Sequence, residues 1–131
     1  FMKMCHPYLN GGGKIINLAS ASALRAFSEG YRSYASVKEA IRLLSSKASV
    51  DCGPDHRLVN CIMPLAKSTG MEWWMNERPE EAAEFVKTIP LGRVGDCKDD
   101  IGEAVCHLLS EGMSYITGST IMIDGGQAFL R

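Results

Sequence analysis

Three short apolar runs, each closed by turn-forming residues, set the frame of this chain. Residues 14 to 19 follow Gly11, Gly12 and Gly13 and end at Ser20; residues 57 to 63 close on Pro64; residues 119 to 123 close on Asp124, Gly125 and Gly126. Short, near-continuous apolar runs of this kind predict buried strands. Between the first two, the 3.6-residue period predicts a helix over 31 to 50, with Ala35, Val37, Ala40, Ile41, Leu43, Leu44 and Ala48 giving it a broad apolar face. Residues 51 to 56 read as a turn. A helical region covers 67 to 88 and breaks near Pro79, where Arg78-Pro79-Glu80-Glu81 restarts it with acidic residues in the first turn. Asp99 and Asp100 open a helix over 99 to 110, with Ile101, Val105, Leu108 and Leu109 inward. Near-continuous apolar strands separated by helical stretches predict an α/β fold with parallel pairing and right-handed crossovers.

Composition narrows the class. The 131 residues leave room for one domain, and a net charge of −1 lacks the basic footprint of a nucleic-acid binder. No apolar run approaches the ~20 residues of a membrane-spanning helix. Cys5, Cys52, Cys61, Cys97 and Cys106 are odd in number and show no Cys-x-x-Cys spacing, which favours reduced thiols in a reducing compartment and a cytoplasmic protein. His6, His56 and His107 are too scattered to suggest a metal site.

The candidate chemistry begins at Tyr34-Ala35-Ser36-Val37-Lys38. Four residues apart on a helix, the phenol and the ammonium share a face, so the cation can hold the phenol partly ionised and make it a proton donor and acceptor usable near neutrality. Alone, the pair also suits a solvated helix face; its company separates the two readings. Upstream stands Gly11-Gly12-Gly13-Lys14-Ile15-Ile16-Asn17-Leu18-Ala19-Ser20. Downstream come Arg57 to Pro64 with Asn60 inside, Pro90-Leu91-Gly92-Arg93, and Asp124-Gly125-Gly126 at the end of the last strand.

These landmarks, in this order, resemble the carboxyl-terminal half of the short-chain dehydrogenase/reductase family over almost the whole chain. The resemblance implies a three-layer Rossmann-type parallel sheet with helices on both faces, of which about three strands are present. It implies an NAD(P)-dependent oxidoreductase interconverting an alcohol and a ketone, with Tyr34 as acid/base and Lys38 favouring its ionisation and holding the nicotinamide ribose. Ser20, three places after Asn17, would donate a hydrogen bond to the substrate oxygen; Ser22 is a rival for that role, because the loop to Tyr34 is one residue longer than in many members. Pro64 and Thr69 would touch the nicotinamide. NAD and NADP are not distinguished, and a homo-oligomer, dimer or tetramer, is implied.

Departures follow Pro64. Leu65 stands where the family has glycine, and Lys67 where it has a small aliphatic residue. Both favour, as an alternative, a catalytically silent binding or regulatory protein. The segment Met71-Glu72-Trp73-Trp74-Met75 supplies apolar surface in the region where, by the resemblance, the substrate lid is expected, or else for helix core or a subunit contact. No glycine-rich strand–turn–helix for a dinucleotide pyrophosphate occurs, since Gly11 to Gly13 precede a strand instead of following one. With Phe1 in first place, the chain is therefore expected to be a fragment, inactive alone, whose dinucleotide-binding half and upstream helix Asn are absent. A stand-alone interaction module is the third reading. In such a fragment the edge at Ile15 to Leu18 would lie open, and that edge or the 31 to 50 helix is expected to lie in a contact with another chain.

Overall fold

The computed structural model describes residues 2–9, 12–25 and 30–129. Helix α1 (Met2–Cys5) runs into a 3-10 turn, His6–Tyr8; strand β1 (Gly13–Leu18) follows, then a 3-10 turn, Ala21–Ala23, and the long helix α2 (Arg32–Cys52). Strand β2 (Arg57–Pro64) leads to α3 (Thr69–Glu77) and α4 (Pro79–Lys87). A π-helical turn, Cys97–Gly102, continues into α5 (Glu103–Leu109), and β3 (Thr120–Ile123) closes the sheet.

The sheet order is β1-β2-β3, all parallel, with Leu18 opposite Ile62 and Pro64 opposite Ile123. This is the parallel α/β arrangement that the alternating pattern predicts and the Rossmann-type class that the resemblance implies. Parallel pairing brings the carboxyl ends of all three strands to one edge. β2 is the centre of the core: Val59, Cys61, Ile62 and Met63 are essentially inaccessible. Cys61 and Met63 share a face with Ala19, on which Ala23, Leu24 and Met122 pack. Ile62 points the other way and is buried too, as a strand covered on both sides requires. β1 is half-buried, and no strand pairs with its other side among the described residues.

Side-chain bonds fix the approach to β3. The Asn60 amide donates to the Ile116 carbonyl (2.7 Å) and its Oδ1 accepts the Ser119 N–H (3.0 Å), while the Val59 N–H donates to Thr117 Oγ1 (3.0 Å). At the amino end of β2, the Arg57 Nε–H donates to the Leu9 carbonyl (2.9 Å) and Nη1 meets Asp55 (2.5 Å) and His6.

Two elements differ in detail from their sequence pattern. The apolar face predicted for 31 to 50 is divided: Val37, Leu43 and Leu44 are more than half exposed, Ala35, Ile41 and Ala48 are half-buried, and the buried positions of α2 are Ser45 and Ser49. The cause is close approach. Ser45 Oγ accepts from the Asn17 amide (2.9 Å) and donates to the Ile41 carbonyl (2.7 Å). Ser49 lies so near the turn before β3 that a methyl group at Gly118 would come within 2.7 Å of its Oγ. Only small side chains with locally satisfied hydroxyls fit there. Secondly, the helix predicted over 99 to 110 starts earlier, at Cys97, and its first turn is wide, because the Ile101 N–H reaches back five residues to the Asp96 carbonyl (3.2 Å). Asp96 Oδ1 caps it by accepting the Lys98 and Asp99 N–H groups (2.7 and 2.9 Å).

Candidate active site

The carboxyl edge of the sheet collects the candidate residues. β1 ends at Leu18, yet the Ala19 N–H still donates to the Ile62 carbonyl (2.9 Å), which holds the chain in register up to Ser20. There the backbone breaks into the 3-10 turn. Ser20, extended at φ −161° and ψ 143°, caps that turn: its Oγ accepts the Ser22 N–H (3.3 Å) and lies 2.6 Å from Ser22 Oγ. The two serines left as rivals by the sequence are thus hydrogen-bonded to each other.

Tyr34 and Lys38 occupy the first two turns of α2. Lys38 Nζ donates to the Leu18 carbonyl (3.0 Å) at the end of β1, so the ammonium pins the start of α2 to the strand that carries Ser20. The same ammonium lies 5.6 Å from the centre of the Tyr34 ring. Tyr31 packs edge-on against that ring (6.1 Å, 84°), and Tyr34 remains 46% exposed, open to a ligand. The expected shared face for phenol and cation is what the helix presents. Deeper in, burial pushes the Cys61 thiol above its usual range, leaving it a packing group.

Pro64 ends β2 at the same edge. The segment after it is tied on both sides: the Leu65 N–H donates to the Ile123 carbonyl (2.9 Å), the Gly95 N–H to the Leu65 carbonyl (3.2 Å), and the Lys67 N–H to the Gly95 carbonyl (2.8 Å). A methyl group at Gly95 would come within 2.9 Å of the Leu65 oxygen, so this crossing needs glycine. Leu65 is half-buried and lines a cavity of about 190 Å³ with Leu91, Ile101 and Met122. Ser68 caps α3 through the Met71 N–H (3.3 Å), and Thr69 is exposed in its first turn. Among the described residues no hydrogen bond joins Thr69 to Ser20, Tyr34, Lys38 or Pro64.

Sequence reading missed the brace beneath this segment. Arg93 donates twice to the Asp100 carboxylate (2.5 and 2.7 Å), and the Asp96 N–H donates to it as well (2.6 Å). The guanidinium first, then that N–H, hold the Asp100 carboxyl far below the usual carboxylate range. The seven-residue spacing of Arg93 and Asp100 across a turn was the available signal. Met71 to Met75 divide between the two readings offered for them: Trp74 packs edge-on against Phe85 (5.6 Å, 88°) and joins α3 to α4, whereas Trp73 is 65% exposed. Among the described residues no cluster of His, Cys, Asp or Glu could hold a metal ion, and no helix is long and apolar enough to cross a membrane.

Residues 1–128 match the protein-family model described as enoyl-(acyl carrier protein) reductase. Across 127 residues the chain is 37% identical to the 12alpha-hydroxysteroid dehydrogenase of a Clostridium species, covering 96% of this chain and 49% of that protein. Among solved structures, a short-chain dehydrogenase/reductase from Serratia marcescens superposes with a TM-score of 0.82 at 29% identity, over 97% of this chain and 50% of that one. A blue fluorescent protein from a metagenomic library, solved in complex with NADPH, superposes with a TM-score of 0.84 at 29% identity, over 98% and 50%. The chain spans about half the length of the curated relatives it matches.

Proposed function

Because this chain belongs to the short-chain dehydrogenase/reductase family, we propose that it is the catalytic half of an NAD(P)-dependent oxidoreductase that interconverts a secondary alcohol and its ketone. The observation that carries the reading is Lys38, whose ammonium bonds to the last carbonyl of β1 while lying against Tyr34, at the sheet edge that also bears Ser20. Open α/β sheets bind ligands at this edge. The residues present suit the nicotinamide end of a dinucleotide: Lys38 for the ribose hydroxyls, with Pro64 and Thr69 beside the ring. A bound nicotinamide would supply or accept the hydride. Tyr34 gives its phenolic proton to the carbonyl oxygen in reduction and takes it back in oxidation. Lys38 steadies the negative charge left on the phenolic oxygen, and Ser20 donates a hydrogen bond to the substrate oxygen as charge builds there. The hydroxysteroid named for one relative and the exposed Trp73 favour an apolar carbon skeleton in the substrate.

The exposed apolar stripe of α2, with Val37, Leu43 and Leu44, suits packing against a second copy, and five free thiols suit a cytoplasmic setting. Leu65 favours a second reading, in which the fold binds a ligand without chemistry. Titrating NADH and NADPH into the protein as its gene encodes it, then supplying secondary alcohols and ketones, tests both. Saturable binding with turnover supports the enzyme, binding without turnover supports the silent protein, and no binding contradicts the dinucleotide site. Lys38→Ala should weaken cofactor binding and turnover together.

A further inference from the structure

We propose that Ser22 is a positioning residue for Ser20, orienting the hydroxyl that faces the substrate oxygen; the proposal rests on the catalytic reading of Ser20. A serine hydroxyl has one proton and two lone pairs. Ser20 Oγ already accepts the Ser22 backbone N–H (3.3 Å), and Ser22 Oγ sits 2.6 Å away, at the short end for a hydroxyl pair. Only one of the two protons can lie between the oxygens. Were it the Ser20 proton, Ser20 would have nothing left to donate to a substrate. With Ser22 as donor, Ser20 Oγ accepts two bonds from one residue, and its own proton is free and polarised toward the ligand. The turn keeps the pair together. The Ala23 N–H donates to the Ser20 carbonyl (3.0 Å), the Leu24 N–H to the Ala21 carbonyl (2.9 Å), and Ala23 and Leu24 pack on the Cys61 and Met63 cluster. The donor aimed at the developing charge is therefore fixed before a substrate arrives, which is what makes such donors effective.

The test uses the protein as its gene encodes it. Ser22→Ala should lower kcat roughly three- to tenfold, the size of one hydrogen bond, with KM for the cofactor unchanged. Ser22→Thr should restore it. Ser20→Ala should cost roughly a hundredfold or more, and adding Ser22→Ala to it should cost nothing further. Full activity in Ser22→Ala, failure of Ser22→Thr to restore, or a larger loss in Ser22→Ala than in Ser20→Ala would overturn the proposal. A readout independent of turnover is hydroxyl-proton exchange by NMR: the protected hydroxyl should be that of Ser22, and protection at Ser20, or at neither, would contradict the arrangement. Tyr34→Phe run in parallel separates the two layers. If it abolishes turnover while Ser22→Ala is neutral, the Ser22 proposal alone fails; if it leaves turnover intact, the catalytic reading fails and takes this proposal with it.

Discussion

Asn60→Ala should destabilise the protein by about 2 kcal/mol. Asn60 is 4% exposed, and its amide bridges two points of the incoming strand: it donates to the Ile116 carbonyl at 2.7 Å and accepts the Ser119 N–H at 3.0 Å. Each well-formed bond contributes about 1 kcal/mol net, and truncation strands both backbone partners. Ile116 and Ser119 are only half-buried, so water can reach them and the loss falls near the low end of the range for two broken bonds. For a chain of this length, 2 kcal/mol lowers Tm by roughly 6–10 °C. Urea unfolding followed by circular dichroism reads the effect as a fall in midpoint at unchanged slope. Asn60→Asp is the control, since it keeps the acceptor for Ser119 but aims a carboxylate oxygen at the Ile116 carbonyl. At neutral pH it should be no better than alanine. Its buried carboxyl should have a folded pKa above the unfolded value, so stability should be regained as pH falls and the proton restores the donor. A loss below about 0.5 kcal/mol in Asn60→Ala would refute the claim that this side chain holds β3 in register.

Gly118 has φ +71° and faces Ser49 Oγ, so Gly118→Ala should cost about 2 kcal/mol or more, and adding Ser49→Ala should recover the contact part while leaving the backbone part, measured by the same unfolding assay. The carboxyls of Asp100 and Asp96 are both depressed in the fold, so their contribution is full above the ordinary carboxylate pKa near 4 and drains away as pH falls through the folded values. Asp100→Asn should accordingly make the acid limb of a stability–pH curve shallower below about pH 4. Iodoacetamide followed by mass spectrometry should label Cys97 and Cys106, which are exposed, and spare Cys61 until the protein is unfolded.

Strands were legible because the sheet is parallel and covered, which forces near-continuous apolar runs: the predicted 57 to 63 and observed Arg57–Pro64 differ by one residue. The break at Pro79 was legible too, since proline is admitted only in the first turn of a helix. The inward face of α2 was not. Periodicity marks the apolar residues of α2 but not the serines that meet the sheet: the helix lies so close to it that Ser45 and Ser49 take the buried positions while Leu43 and Leu44 face out. The wide turn before α5 was also hidden, because it depends on one long-reaching N–H bond at Ile101 and on a cap at Asp96, neither of which changes hydrophobic spacing. At the candidate site, the Tyr34 and Lys38 pairing follows from helix geometry alone. The relation of Ser20 to Ser22 does not, because spacing of two residues in an irregular turn leaves either hydroxyl free to take the role until the turn's own bonds are known.

The central claim is that Tyr34 moves the proton, and Tyr34→Phe in the protein as its gene encodes it tests that most directly. The substitution keeps the ring that packs on Tyr31 and lies beside Lys38, and removes only the hydroxyl. Turnover should fall by at least roughly a hundredfold while the cofactor dissociation constant changes by less than about threefold, since the phenol acts in the transition state and adds little to ground-state binding. Near-normal turnover in Tyr34→Phe would contradict the account.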